Sequence, residues 1–202
     1  MTQRDFIVKR GFDIAVSALS LLVLWPVILV AWALAARDTG ASGFFSQRRI
    51  GRNGKLFTVR KIRTMRENVG STVTTRGDAR ITPLGARLRT LKIDELPQLW
   101  NILKGDMSLV GPRPDVPGYM DALTGEARAI LALRPGITGP ATLKYRDEEA
   151  LLAEAADPQK FNDEVIWPDK VRINLDYLRN YSFAKDVRYL LATLHLTDHG
   201  VR

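Results

Sequence analysis

Asp94 and Glu95 are the two residues whose type and setting are best suited to chemistry. They stand at the start of a predicted helix, with Pro97 in its first turn and Gly105 at its end. The helix is predicted from apolar residues three and four positions apart on one face: Leu96, Leu99, Trp100 and Leu103. Acids at a helix start are common caps. The same backbone N–H groups also keep a carboxylate ionised, as a nucleophile or a magnesium ligand requires.

Basic residues are concentrated around this pair of acids. Residues 44–113 contain 15 Lys and Arg against 5 Asp and Glu, a net charge of +10, so this segment carries the basic surface of the chain. Such a surface suits phosphate groups, whether of nucleic acid, of anionic lipid headgroups or of a diphosphate substrate.

Two clusters within the basic segment are candidates for phosphate binding. Arg113 stands between two prolines, which can fix its guanidinium for bidentate contact with a phosphate. Lys61, Arg63 and Arg66 form a second cluster. The ordinary alternatives are a solvated loop arginine for Arg113 and a solvated charged face for the cluster.

A long apolar segment comes before this basic region. Residues 14–36 are 23 residues without a charge, about 34 Å as a helix, which is enough to cross a bilayer core. The run is too long for a cleaved signal peptide. Lys and Arg flank it on both sides, and Pro26 near its middle removes a backbone donor. We therefore predict a re-entrant helical hairpin that enters and leaves by the same membrane face, with a plain spanning helix as the alternative.

The pattern predicts an α+β protein, mostly helical, with two parts: a membrane-inserted re-entrant helix at residues 1–40 and a small cytosolic domain at residues 41–202, which the resemblance described below implies to be catalytic. Asp13 is expected to pair with Lys9 or Arg10 at the headgroup level. Within the domain we predict minor β-structure, a loop and helices, the last of them at the membrane interface. The segments are short strands or apolar anchors at 44–45 and 56–59 on either side of a turn at 51–54, a loop at 67–79, and helices at 119–133, 148–156 and 183–196. The chain has no cysteine, which excludes disulfides, cysteine zinc sites and a thiol nucleophile.

Several segments, in their order along the chain, resemble the bacterial sugar transferases, in particular the small monotopic polyprenyl-phosphate phosphoglycosyl transferases. The similarity begins at the basic entry and the proline-broken apolar helix and covers nearly the whole chain. Its most specific part is the unbroken run from Ile93 to Pro114. The other matching segments are Lys61-Ile62-Arg63-Thr64-Met65, Arg89 and Arg134-Pro135-Gly136-Ile137-Thr138-Gly139.

This resemblance implies a reaction in two steps. Asp94 would attack the β-phosphate of a UDP-sugar, expel UMP and hold the sugar phosphate covalently. A polyprenyl phosphate such as undecaprenyl phosphate would then take it, giving a polyprenyl diphosphate-linked sugar, the first membrane step of glycoconjugate or exopolysaccharide assembly. Mg²⁺ would neutralise the diphosphate with Asp94 among its ligands, and Glu95 would assist.

The resemblance also implies the remaining site residues and partners. Arg113, Arg89, Arg63 and Lys61 would bind substrate phosphate, and Arg146 would lie near the nucleotide. The implied location is the cytoplasmic face of a bacterial inner membrane, with no nucleic acid as partner, and a homodimer is compatible with it.

Two segments depart from the family pattern. Trp25 stands before Pro26, the expected break in the membrane helix, where the family often has serine. Residues 140–146 differ from the usual run and leave the choice of sugar open. The competing hypothesis is a non-enzymatic, membrane-tethered basic module that binds nucleic acid or anionic lipid. The scarcity of aromatic residues in the basic segment disfavours nucleic acid.

Overall fold

The computed structural model describes residues 1–66 and 78–194. In these ranges the chain is mostly helical, with two small two-stranded sheets. The α-helices are α1 Gln3–Thr39, α2 Pro83–Thr90, α3 Gln98–Lys104, α4 Pro140–Lys144, α5 Glu148–Glu154, α6 Pro158–Phe161, α7 Trp167–Arg179 and α8 Phe183–Thr193. The strands are β1 Phe44–Ile50, β2 Leu56–Ile62, β3 Ser108–Val110 and β4 Gly136–Thr138. Short 3-10 or π turns lie at Arg52–Gly54, Ile93–Glu95, Met120–Ala122, Gly125–Ala132 and Asn162–Ile166.

The long helix α1 contains the whole apolar segment, with Pro26 inside it. Thr2 and Asp5 form a capping box at its start, and Gly40 ends it in the left-handed conformation. By length and composition it is able to cross a membrane. Its surface is strongly apolar, because large side chains on it are exposed: Leu19, Leu22, Val23, Trp25, Leu29 and Val30.

Both halves of α1 pack against the rest of the chain. Phe12, Val16 and Leu21 in the first half lie against the main core. Ala31 and Ala35 in the second half form a separate cluster, together with residues of β2 and α2. The main core is formed by Val59, Leu99, Ile102, Met107, Leu109, Val110, Leu133 and Tyr177. One side of α1 therefore packs against the rest of the described chain in both of its halves.

Buried polar contacts fix the first half of α1. The Asp13 carboxylate accepts a hydrogen bond of 2.9 Å from the backbone N–H of Leu109 and is 2% exposed. The prediction that Asp13 pairs with Lys9 or Arg10 at the headgroup level is therefore wrong. Lys9 instead pairs with Asp186 of α8, and Arg10 donates to two carbonyls at the end of α3. A buried carboxylate is costly unless it accepts a hydrogen bond, and for Asp13 the backbone N–H of Leu109 in β3 is the donor.

Strands β1 and β2 form a hairpin around the predicted turn, and both are longer than the segments predicted at 44–45 and 56–59. They are antiparallel, with Phe44 opposite Ile62 and Ile50 opposite Leu56, and they join through a turn in which Asn53 has a φ of 58°. Because side chains alternate along a strand, β2 turns one set of residues towards the core and the other outwards. Phe57, Val59 and Lys61 are on the more buried side. Leu56, Thr58 and Arg60 are exposed.

Strands β3 and β4 bring two distant motif segments together. They pair in parallel, Ser108 with Gly136 and Val110 with Thr138. The backbones of the two segments approach so closely that a Cβ on Gly136 would lie 2.2 Å from the backbone nitrogen of Gly111. Only glycine fits there, which explains why both segments carry one.

The helix predicted at 119–133 is wrong as a single element. The chain forms two 3-10 segments, separated by extended backbone at Leu123 and Thr124, and the second begins at Gly125 with a φ of 55°. The predicted helices at 148–156 and 183–196 are confirmed as α5 and α8. Most of the predicted loop at 67–79 and the end of the last helix lie outside the described residues.

Candidate active site

Asp94 and Glu95 lie in a 3-10 turn of their own, and α3 begins only at Gln98. The expectation that the two acids directly begin the α3 helix is therefore wrong. Lys92 precedes the turn with a φ of 56°, a left-handed conformation that costs a residue with a Cβ about 1 kcal/mol or more. This reversal separates the acids from α2 and leads them to the inner side of β2, where Lys61 lies.

Glu95 is held between two cations. Its Oε1 atom accepts hydrogen bonds of 2.8 Å from Lys61 Nζ and 2.8 Å from Arg113 Nη2. Burial by itself would raise the pKa of Glu95, but Arg113 and Lys61 outweigh burial and hold that pKa well below its ordinary value. Glu95 is therefore a fixed negative charge that orients both cations.

Asp94 has the opposite surroundings. It is 8% exposed, and its buried Oδ1 atom has no hydrogen-bond partner among the described residues. Burial and the adjacent Glu95 raise the pKa of Asp94, and the cations Lys61, Lys92 and Arg89 oppose that rise. A buried oxygen without a partner is costly unless a ligand uses it. Asp94 therefore presents a carboxylate oxygen that is available for a bond to substrate or metal.

The loop that carries Arg113 is fixed from β1. Arg49 donates to the Pro114 carbonyl at 3.2 Å, and the backbone N–H of Ile50 donates to the Asp115 carbonyl at 2.9 Å. Burial raises the pKa of the Asp115 carboxyl to about 6, against the opposing charges of Lys170 and Arg49. The Arg113 side chain is nevertheless 42% exposed, so it reaches Glu95 and still faces solvent.

Arg89 of α2 forms an ion pair with Glu149 of α5. Sequence reasoning did not identify Glu149. No local signal marks it, because the two residues are 60 positions apart and only the fold brings them together. In the structure the Arg89 guanidinium, which was expected to bind phosphate, is therefore paired with the Glu149 carboxylate.

The two other predicted cations have structural contacts elsewhere. Arg63 donates to the carbonyls of Ser42 and Phe44 at the base of the hairpin. Arg146 donates to the Ala192 carbonyl near the end of α8. The structure thus brings Lys61, Glu95 and Arg113 together directly. The phosphate and nucleotide roles of Arg63 and Arg146 stay predictions.

The donor set suits a cation that arrives with its substrate. Among residues 1–66 and 78–194 no group of three or more acids or histidines is positioned to hold a metal ion. Mg²⁺ is commonly bound by one or two carboxylates together with substrate phosphates, and it does not need a cage of protein ligands. The unpartnered Asp94 oxygen fits that arrangement.

Comparison with known proteins decides the family. The sequence model of the bacterial sugar transferases matches residues 4–198, nearly the whole chain. The chain belongs to this family. The prediction of a sugar transferase, and hence of an enzyme, is thereby confirmed.

Relatives of this sugar transferase differ in length. It is 34% identical to the exopolysaccharide production protein ExoY of Sinorhizobium fredii, over 92% of this chain and 83% of that protein. It is 36% identical to the exopolysaccharide production protein PSS of Rhizobium leguminosarum, over 94% of each. It is 32% identical to the UDP-N-acetylgalactosamine-undecaprenyl-phosphate N-acetylgalactosaminephosphotransferase of Aeromonas hydrophila, over 96% of this chain and 45% of that protein. The chain spans less than half of the Aeromonas protein.

Proposed function

We propose that this sugar transferase moves a sugar 1-phosphate from a UDP-sugar to polyprenyl phosphate, through a covalent intermediate on Asp94. The observation that carries the proposal is the contrast within the acid pair. Glu95 is neutralised by two cations, whereas Asp94 is buried with an unpartnered oxygen. The Aeromonas relative is named for a UDP-sugar and for undecaprenyl phosphate, which supports both substrates.

In the first step, a carboxylate oxygen of Asp94 attacks the β-phosphorus of the donor. The bond between that phosphorus and the bridging oxygen breaks, and UMP leaves with the electron pair. In the second step, a phosphate oxygen of the polyprenyl phosphate attacks the same phosphorus. The bond to Asp94 breaks and the carboxylate is restored. Two visits to one site divide the transfer between a water-soluble donor and a lipid acceptor.

The residues around Asp94 act through charge. Glu95 is ionised and occupied, so its role is to orient Lys61 and Arg113. Arg113 faces solvent and is placed to bind phosphate oxygens as negative charge accumulates on them. Asp94, together with the substrate phosphates, would hold Mg²⁺, which would neutralise the charge of the diphosphate.

We place the enzyme at the cytoplasmic face of a bacterial inner membrane, with α1 as a re-entrant helix. Both halves of α1 pack on the same body, and its other side exposes apolar residues. Basic residues flank the apolar segment at both ends, which favours the cytoplasmic side for both. The names of two relatives support exopolysaccharide assembly as the process that the product enters.

The test is UMP release from a panel of UDP-sugars, with undecaprenyl phosphate and Mg²⁺, in the wild type and in Asp94→Asn. We expect release from at least one sugar and a loss of at least about 10³-fold in the variant, because the amide is not a nucleophile. Asp38→Asn on α1 is the matched control and should retain activity.

A second readout addresses the intermediate directly. Without acceptor, intact-protein mass spectrometry should show one sugar phosphate added to the wild type and none added to Asp94→Asn. Undiminished UMP release by Asp94→Asn would rule out Asp94 as the nucleophile. Absence of release from every UDP-sugar in the wild type would refute a UDP-sugar as the donor.

A further inference from the structure

A second polar cleft lies between the hairpin and α3, and none of Lys61, Asp94, Glu95 and Arg113 lines it. It has a volume of about 380 Å³. Its lining includes Ser46, Thr58, Arg60, Trp100, Asn101 and Lys104. Because consecutive side chains of a strand point to opposite sides, Arg60 faces this cleft while Lys61 faces Glu95. The cleft is therefore not part of the site around Asp94.

Two cations line the cleft, and one of them has no partner among the described residues. The Arg60 side chain is exposed and makes no ion pair or hydrogen bond within residues 1–66 and 78–194. Lys104 lies across from it and binds Asp106 at 3.1 Å, with its side chain 55% exposed. Both cations lie within one cleft, so a single anionic group can contact them together.

The cleft also offers hydrogen-bond acceptors. Asn101 is 3% exposed and donates to the Thr58 carbonyl at 2.8 Å, but its Oδ1 atom has no partner among the described residues. The Asp106 carboxylate lies on the same side. A ligand that pairs with both the cations and the acceptors of the cleft therefore combines a negative charge with hydrogen-bond donors such as hydroxyl groups.

Both walls of the cleft are attached to the apolar helix α1. On the hairpin side, Ile62 packs with Ala31 and Ala35, and the rings of Phe44 and Trp32 are 6.2 Å apart. On the α3 side, Arg10 of α1 donates to the carbonyls of Ile102 and Leu103. The rim exposes Trp100 by 51% and Leu56 by 44%. Tryptophan and apolar side chains next to cations are typical of a membrane–water interface.

We propose that this cleft binds the headgroup of an anionic phospholipid of the surrounding membrane. The phosphodiester contacts Arg60 and Lys104, and headgroup hydroxyls donate to Asn101 and Asp106. The bound lipid fixes the height of the catalytic domain relative to the bilayer surface. This inference rests on the proposed function only in placing α1 in the membrane.

The test is native mass spectrometry of the full chain in detergent, with phosphatidylglycerol and phosphatidylcholine as competing probes. We expect the wild type to retain phosphatidylglycerol preferentially. Arg60→Gln and Lys104→Gln should each weaken that retention about fivefold, which corresponds to one cation near a membrane surface. Lys55→Gln removes an exposed charge from the turn of the same hairpin and should leave retention unchanged.

The outcomes separate the lipid site from the reaction. Equal retention of the two lipids by the wild type, or unchanged retention in Arg60→Gln, would overturn the inference. Displacement of phosphatidylglycerol by undecaprenyl phosphate, one for one, would also overturn it, because the cleft would then be an acceptor site. UMP release is measured on the same detergent preparations. Its absence in the wild type would refute the proposed reaction without affecting the lipid result.

Discussion

Asp94 and Glu95 are neighbours in sequence, yet their surroundings shift their pKa values in opposite directions. Glu95 has a lowered pKa, so the stability from its ion pairs is present above its unfolded-state pKa and is lost only at strongly acidic pH. Asp94 has a raised pKa, so it is the first of the two to take up a proton as the pH falls. Glu95 is a charge fixed by two cations, whereas Asp94 keeps an oxygen without a partner among the described residues, so the two adjacent acids are suited to different roles.

The ion pair between Arg89 and Glu149 would compete with a substrate phosphate for the Arg89 guanidinium. In the structure its guanidinium binds Glu149, which is 43% exposed in its side chain. If Arg89 binds the donor phosphate, Glu149 has to be displaced first. We therefore predict that Glu149→Gln lowers KM for the UDP-sugar by up to about fivefold, because half-exposed ion pairs contribute up to about 1 kcal/mol. The value of kcat should be unchanged.

Steady-state UMP release checks this prediction. Glu154→Gln, another exposed acid on the same helix α5, is the matched control and should keep the wild-type KM. A higher KM in Glu149→Gln would contradict competition and would show that Glu149 positions Arg89 for phosphate.

At the scale of elements, the sequence predicts best where local rules decide. The hairpin follows from a Gly-containing turn between apolar segments, and α3 follows from its apolar spacing. The turn that carries Asp94 and Glu95 could not be predicted, because the left-handed conformation of Lys92 depends on tertiary contacts and not on its residue type. The helix at 119–133 failed for a related reason: backbone extended at Thr124 divides the segment.

The contact between α1 and α8 is a buried polar cluster with no signal in the sequence. Lys9 pairs with Asp186, and Tyr177 donates to the same carboxylate at 2.7 Å. Removing one partner of a buried ion pair leaves an uncompensated charge, which costs about 3–5 kcal/mol. We predict that Lys9→Met lowers the free energy of unfolding in detergent by about that amount, measured by thermal or denaturant unfolding.

Two variants make this prediction specific. Arg4→Met removes an exposed cation of the same helix and should change stability little. The double variant Lys9→Met with Asp186→Leu removes both charges and should recover part of the loss. A Lys9→Met protein as stable as the wild type would show that α8 is docked by apolar contacts alone.

For the whole molecule, the path of α1 decides how substrates meet. In the proposed reaction, a donor in water and an acceptor in lipid would both reach Asp94, which would require the domain after α1 to lie at the membrane surface. In the structure that domain contacts α1 both before and after Pro26. A helix that crossed the bilayer would leave one of these contact regions on the far side of the membrane. The packing of α1 therefore favours the re-entrant path that the basic flanks also favour.

Cysteine labelling tests this path, and the absence of native cysteine makes each introduced thiol unique. Gln3→Cys places a thiol at the first residue of α1, Ser42→Cys places one after its end, and Lys55→Cys marks the side on which the hairpin lies. With a membrane-impermeant maleimide, we expect all three to react in inverted inner-membrane vesicles and none in right-side-out vesicles. A spanning helix would instead separate Gln3→Cys from the other two. Since both ends of α1 are attached to one folded body, that separation would require the packing of its first half on α3 and α8 to be absent in the membrane.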